Sequence, residues 1–233
     1  MKVLASTPSD FRFYFTERAD GDARVASRLR ATLSGARHSD VVLPILRLSQ
    51  IHSREIVVVQ DAVSHPAPIG DFGNIGQGDA IVSSSNTVAA AIFVADCAPI
   101  GIYDRASDLV AVVHAGWRGV ASGVVANAIA KMRDLGAKDL TALLGPHARS
   151  CCYEFSPHDI EKVSSSVGCD LAARTRAGDP SLDLERGIVF QLEELGVGLE
   201  HLSQECTICD PRYFSYRGGD INARGALVVV PGT

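Results

Sequence analysis

Short apolar runs alternate with amphipathic stretches along the chain, which predicts strands and helices in mixed order. Phe11 to Thr16 reads as a strand, and Asp20 to Leu33 as a helix with Val25, Leu29 and Leu33 on one face. Ile56 to Val59 and Ala80 to Ser83 read as short strands, with a Gly-rich loop from Ile69 to Gly78 between them. Val88 to Ala95 is almost wholly apolar, the mark of a strand buried on both faces. Two more strands follow at Ile100 to Tyr103 and Leu109 to Val113, joined through Asp104 to Asp108 as a hairpin. A helix from Gly119 to Leu135 is closed by Gly136, and Leu140 to Leu144 is a strand. Ser156 and Pro157 form an N-cap and first-turn pair for a helix to about Val167. Leu184 to Leu195 is a further helix ended by Gly196, and Ala226 to Val230 is the last strand. Hairpins interleaved with helices favour a single-domain, multilayer α/β sandwich with mixed sheets, over residues 1–233, rather than a doubly wound parallel sheet.

Composition agrees with a packed core: of 233 residues, 46% are hydrophobic and 21% charged. The net charge of −5 comes without a basic stripe, which argues against nucleic acid and for a small-molecule partner. The first residues lack the apolar centre of a signal peptide. No run reaches the roughly 18 apolar residues of a membrane span. The expectation is a cytoplasmic protein without a membrane partner; its oligomeric state is left open. Six cysteines, irregularly spaced, then read as thiols, metal ligands or core residues and not as a disulfide scaffold.

Three metal-capable side chains lie at the ends of apolar runs. His52 precedes the strand at Ile56, Cys97 follows the run Val88 to Ala95, and His114 ends the run Leu109 to Val113. Two imidazoles and a thiolate suit Zn²⁺, and three protein ligands leave its fourth position for water or substrate. No short Cys-x-x-Cys or His-x-x-x-His spacing ties the three together, so a buried thiol and two hydrogen-bonded imidazoles also account for them. After His114 the chain turns through Gly116 and Gly119 into a helix with Arg118 at the turn. That is a seat for a phosphate, or a plain strand-to-helix turn that needs glycine for packing. Cys206-Thr207-Ile208-Cys209, with Cys151 and Cys152, has the residue types of a structural zinc site. A second Cys-x-x-Cys is missing, and adjacent cysteines rarely chelate one ion together, so the expectation is against it. His147 follows Gly145-Pro146 at another strand end and is expected to line the same cleft; His38, His65, His158 and His201 are expected at the surface.

These segments resemble the YfiH-type family, also called the laccase-domain or polyphenol oxidase family and the peptidoglycan editing factor family. The resemblance rests on Gln50-Ile51-His52-Ser53, Ala95-Asp96-Cys97-Ala98-Pro99-Ile100 and Val113-His114-Ala115-Gly116-Trp117-Arg118-Gly119. It continues through Leu144-Gly145-Pro146-His147, Cys151-Cys152-Tyr153-Glu154, Cys206-Thr207 and Phe214-Ser215-Tyr216-Arg217. It implies a multilayer α/β fold and a zinc site whose ligands map onto His52, Cys97 and His114, the same trio reached from the strand ends. Catalytic roles would fall on those three residues, and substrate binding on Arg118, Gln50, Asp96, His147 and Glu154.

The activity implied is that of a purine nucleoside phosphorylase acting on adenosine, inosine, guanosine and methylthioadenosine, with adenosine deaminase activity beside it. The small-molecule partners would then be nucleoside and phosphate. Two alternatives stand beside this: a metal-free cysteine amidase that edits peptidoglycan precursors, with Cys97 as nucleophile, and a non-enzymatic cell-wall or division protein. Multicopper oxidation needs many histidine ligands, and the chain has seven in all. Copper is the second candidate metal, because it outranks zinc in raw affinity. One departure stands out. The family's Gly-Gly-x-Ser and Asn-Leu-Gly segments after the first strand are absent, and Phe15-Thr16-Glu17-Arg18-Ala19-Asp20-Gly21-Asp22 runs straight on. An altered substrate preference or a lower activity is the expectation.

Overall fold

The computed structural model describes residues 1–8, 10–37, 43–60 and 72–232. Among them the strands run, in chain order, β1 (Lys2–Ser6), β2 (Phe11–Phe15), β3 (Ile45–Ser49), β4 (Ile56–Val59), β5 (Phe72–Gln77), β6 (Ala80–Ser83) and β7 (Ala89–Val94). They continue with β8 (Ala98–Asp104), β9 (Val110–Ala115), β10 (Leu140–Leu144), β11 (Ala172–Arg174), β12 (Pro180–Leu182), β13 (Gly198–Leu202) and β14 (Gly225–Pro231). The helices are α1 (Ala26–Arg37), α2 (Trp117–Ser122), α3 (Val124–Asp134), α4 (Pro157–Val167) and α5 (Leu184–Glu194). One six-stranded sheet has the order β1-β2-β14-β7-β3-β5, the other β13-β10-β8-β9-β6-β4, and β11 pairs with β12 apart from both. Each large sheet mixes parallel and antiparallel pairs: β3 is parallel to β5 and β7, and β14 is antiparallel to β2 and β7. The layered α/β sandwich with mixed sheets is the observed architecture.

The period-2 direction of strand side chains sets the layers. On β14, Leu227 and Val229 face the other sheet and, with Phe13, Phe15 and Ile92 of their own sheet, pack in one cluster with Val112 and Leu143 of the second. Their neighbours Ala226, Val228 and Val230 face away, toward Leu29 and Leu33 of α1. On β8 and β9, Ile100, Ile102, Ala111 and Val113 pack against Val124, Ile129, Ile160 and Ile188 of α3, α4 and α5. The stack is therefore α1, sheet, sheet, and then α2 to α5. Both faces of the central strands are covered, which explains runs that are apolar at nearly every position.

Several boundaries differ from the sequence reading. The first helix begins at Ala26, not Asp20; Arg18–Asp20 forms a single 3₁₀ turn, and Gly21 at φ +83° breaks the path. Val25 is consequently exposed, while Leu29 and Leu33 are buried as expected. The expected helix from Gly119 to Leu135 is two helices, because Gly123 adopts the left-handed region (φ +92°) and serves as C-cap of α2 and N-cap of α3. Within the expected loop Ile69 to Gly78, Phe72–Gln77 form strand β5, in parallel register with β3 from Ile45↔Phe72 onward. Its glycines and polar residues hide the pattern, since an edge strand is held by backbone bonds and needs only one covered face. His38 and His65 lie outside the described residues; His158 is exposed, and His201 is half-buried on β13.

Candidate metal centre and cavity

Three strands of the first sheet, β3, β5 and β7, each pass directly into a strand of the second sheet, β4, β6 and β8. Each crossing is short and contains a residue with positive φ: His52 at +58°, Gly78 at +153° and Asp96 at +87°. Left-handed backbone at a non-glycine residue costs about 1–3 kcal/mol and persists only where surrounding contacts hold it. Here they do. The crossings deliver His52, Asp79 and Cys97 to one rim of the sandwich, and β9 ends there with His114.

The ligand atoms of His52, Cys97 and His114 all lie within 4.8 Å of one another. Cys97 Sγ is 3.8 Å from His52 Nε2, and the two imidazoles meet edge-to-face with centroids 4.9 Å apart. His114 is buried, and its Nδ1 is 2.8 Å from Asp79 Oδ1. Asp79, fully buried, is the organising anion. Oδ1 also accepts the His52 backbone N–H (3.0 Å), and Oδ2 accepts from Ile51 N (3.3 Å), Ser53 N (2.6 Å) and Ser53 Oγ (2.8 Å). Such a carboxylate–imidazole bond fixes the ring's tautomer and aims the far nitrogen at the thiol, as around metal-ligating histidines. Gly116 completes the fit: a Cβ there would stand 2.8 Å from Cys97 Sγ and 3.1 Å from His52 Cδ2.

Protonation follows from this geometry. Burial works against charge at Asp79, but hydrogen bonds from His114 and Ser53 outweigh it and bring the carboxyl down to about 2. Burial likewise opposes a Cys97 thiolate; His114 and His52 overcome it and lower the thiol to about 6. For His114, burial favours the neutral ring, and the Cys97 sulfur with Asp79 raises it to about 9.

The trio opens into a cavity of about 800 Å³, within the ordinary range for small-molecule sites. Its wall carries Arg24, Arg47, Arg118, Arg217 and Arg224 against the carboxylates of Asp96, Glu154 and Asp159, so positive charge predominates. Aromatic faces lie among them. Trp117 meets Phe155 edge-on at 5.8 Å, and Phe155 meets Tyr153 at 4.8 Å. The Arg118 guanidinium lies 4.3 Å from the Trp117 ring centre, and that of Arg217 lies 5.0 Å from Tyr153.

Of the substrate-binding residues expected from sequence, Arg118, Gln50, Asp96 and Glu154 reach this wall. Gln50 and Asp96 have their polar groups engaged there. The Gln50 amide pairs with both backbone groups of Phe93 (2.7 and 2.8 Å), and Asp96 accepts from Thr207 Oγ1 (2.8 Å) and Arg217 N (2.7 Å). These two shape the wall. His147 does not line the cavity: it is fully buried, with Nδ1 2.9 Å from Gly145 O and Nε2 3.6 Å from Glu185. Burial keeps its imidazole neutral, and the sharp turn at Gly145-Pro146 carries it behind the strand end. Asp79 and the four arginines other than Arg118 were not expected. Gly78-Asp79 reads as an ordinary turn, and the arginines come from segments far apart in sequence.

Residues 15–230 match the family described as multi-copper polyphenol oxidoreductase laccase. A Corynebacterium glutamicum protein named purine nucleoside phosphorylase is 36% identical over 79% of this chain and 73% of its own length. A Mycobacterium tuberculosis protein of the same name is 31% identical over 96% of this chain and 86% of its own. The Aquifex aeolicus protein of that name is 32% identical, covering 82% of each chain. The fold also matches the crystal structures of Neisseria meningitidis NMB0706 (TM-score 0.78, 24% identity, 100% of this chain and 99% of that one) and Bacillus licheniformis YfiH (0.79, 21%, 95% and 92%).

Proposed function

The chain belongs to the family described as multi-copper polyphenol oxidoreductase laccase, and from that premise we propose that it is a zinc-dependent purine nucleoside phosphorylase acting on adenosine, inosine, guanosine and methylthioadenosine. The observation that carries the reading is a two-imidazole, one-thiolate trio opening into a cavity walled by arginines and aromatic rings. The donor set fits zinc: three nitrogen and sulfur ligands leave one position facing the cavity, and Asp79 fixes the tautomer of His114. Among the described residues, donors gather in two groups, and neither holds the many histidines that several coppers require. The relatives' shared name supports the nucleoside reading over the oxidase one.

His52, Cys97 and His114 would hold the cation, which when bound supplies a Lewis acid able to offset phosphate charge or to activate water for adenosine deamination. Arg118 and its neighbours hold the phosphate beside it; guanidinium pairs with phosphate through two parallel hydrogen bonds. Trp117, Tyr153 and Phe155 offer aromatic surface for the purine. A phosphate oxygen then forms a bond to the anomeric carbon as the bond to the purine nitrogen breaks. The electron pair leaves with the base, which takes up a proton. Glu154 on the wall is the donor assigned here, since His147 is sealed from the cavity. Inosine with zinc-loaded protein is the test. Hypoxanthine and ribose 1-phosphate should appear only when phosphate is present, and their absence would refute phosphorolysis.

One observation favours a second reading. Cys97, His114 and Asp79 form a thiolate–imidazole–carboxylate array with the thiol lowered to about 6, the arrangement of a cysteine hydrolase. An amidase acting on peptidoglycan precursors through this array predicts activity that survives chelators and is lost on alkylation of Cys97.

A further inference from the structure

The trio accounts for one of the protein's six cysteines. Cys151 and Cys152 sit in a tight turn after β10, and Cys206 and Cys209 in the segment between β13 and β14. None is in a disulfide. Their four sulfurs all lie within 4.8 Å of one another, outside the residues that line the cavity. We propose that these four thiolates form a second, structural zinc site, closed to substrate, which fastens one wall of the cavity to the other.

The chemistry of the cluster supports zinc. Four Zn–S bonds of about 2.3 Å in a tetrahedron place the sulfurs about 3.8 Å apart, a small contraction from the observed spread. Adjacent cysteines diverge on a strand, which is why their sequence argues against shared chelation. Here Cys152 N and Tyr153 N both donate to Arg149 O at 3.0 Å, and the helical curl of that turn brings both thiols to one side. Across from them, Cys206-x-x-Cys209 folds back so that Asp210 N reaches Cys206 O at 3.0 Å. The Arg149 backbone N–H points at Cys206 Sγ (3.5 Å), and the backbone N–H groups of Cys209 and Ile208 also serve that sulfur. Amide donors around sulfur stabilise thiolate and are a common surrounding of metal-bound cysteine. Arg176, whose N–H bonds Cys151 O at 3.0 Å, lies where its guanidinium feels Cys209, Cys151 and Cys152. It offsets part of the −2 charge of a zinc tetrathiolate. Binding breaks four S–H bonds, makes four Zn–S bonds and releases four protons, with no change of oxidation state.

The two ligand pairs anchor different parts of the cavity. The turn at Cys151 and Cys152 leads straight into Tyr153, Glu154 and Phe155, and the segment from Cys206 carries Tyr216, Arg217 and Arg224. Neither segment belongs to a large sheet, and the backbone pairing beside the cluster is the single bridge of His147 with Cys206, so the cross-link adds rigidity to a short pairing.

The experiment uses the full chain with Cys97→Ala and His52→Ala, so that the first metal centre is disabled and its failure cannot be confused with this one. Cobalt(II) titration of the reduced protein should give one equivalent bound, with the strong sulfur-to-metal charge-transfer bands and intense d–d bands of a tetrahedral tetrathiolate. Zinc should displace it stoichiometrically, and purification from zinc-supplemented medium should yield one zinc per chain by mass spectrometry. Adding Cys206→Ser and Cys209→Ser should abolish both. Should that variant not fold, Cys209→Ser alone, at an exposed position, should weaken and shift the bands as one sulfur ligand is lost. Substoichiometric zinc with no thiolate bands overturns the proposal, as does a disulfide among the four cysteines in protein purified under reducing conditions.

Discussion

Replacing Asp79 by asparagine keeps the shape of the side chain and removes the charge on which the rim is organised. Oδ2 accepts the N–H groups of Ile51 and Ser53, and Oδ1 accepts those of His52 and, at 2.8 Å, His114 Nδ1. An amide has one oxygen to offer. With its NH₂ in the place of Oδ2, two partly buried backbone N–H groups face a donor. With its NH₂ in the place of Oδ1, the His52 N–H is orphaned, and His114 must turn its proton to the nitrogen that faces the thiol. An unsatisfied buried donor costs about 1–3 kcal/mol. Two of them, only partly buried here, amount to about 2 kcal/mol at the low end of that range, which for a chain of this size lowers Tm by roughly 4–8 °C. Loss of such a supporting carboxylate weakens metal binding about 10- to 100-fold. Thermal unfolding of the apo protein and zinc competition against a chromophoric chelator read the two effects separately. If D79N unfolds within a degree or two of wild type and binds zinc equally well, Asp79 does not organise the rim and the account of His114 is wrong.

Gly116→Ala places a methyl group 2.8 Å from Cys97 Sγ and should lower zinc content at nearly unchanged secondary structure, read by metal analysis beside far-UV circular dichroism. Because the Asp79 carboxyl drops from 3.8 to about 2 on folding, its contribution is present above about pH 4 and is lost as pH falls toward 2; urea unfolding across that range should show a shallower pH slope in D79N than in wild type. In zinc-stripped protein, alkylation of Cys97 should rise with pH through about 6, well below the range of an ordinary thiol, and a midpoint above 8 would contradict the thiolate–imidazole pairing. Arg118→Ala should raise the KM for phosphate by roughly tenfold or more while changing the nucleoside KM less, as expected for loss of a charge-assisted contact.

Sequence patterning located most of the central strands, because both of their faces are covered and nearly every position is apolar. It placed Ile56 to Val59, Ala80 to Ser83 and Leu140 to Leu144 with the observed bounds. The helix caps at Ser156 and Gly136 were equally legible, since a capping hydroxyl and a left-handed glycine act within one turn. What the pattern did not reach was held by distant partners. Edge strands β1, β5 and β13 have weak alternation and take their order from neighbours far along the chain. The trio of His52, Cys97 and His114 could be named from strand ends. The carboxylate behind it could not, since nothing local distinguishes Asp79 from a turn aspartate. The gathering of Cys151 and Cys152 with Cys206 and Cys209 was hidden for a related reason: adjacent side chains diverge on extended backbone, and the chain there is curled.

The short passages from sheet to sheet have a mechanical consequence. His52 and Cys97 lie on two of them, and His114 belongs to the second sheet. A cation gripped by all three would be a rivet through the seam of the sandwich. The two sheets could then part only by tearing metal–ligand bonds, so occupancy would couple the slippage of one sheet to that of the other and make the halves come apart together.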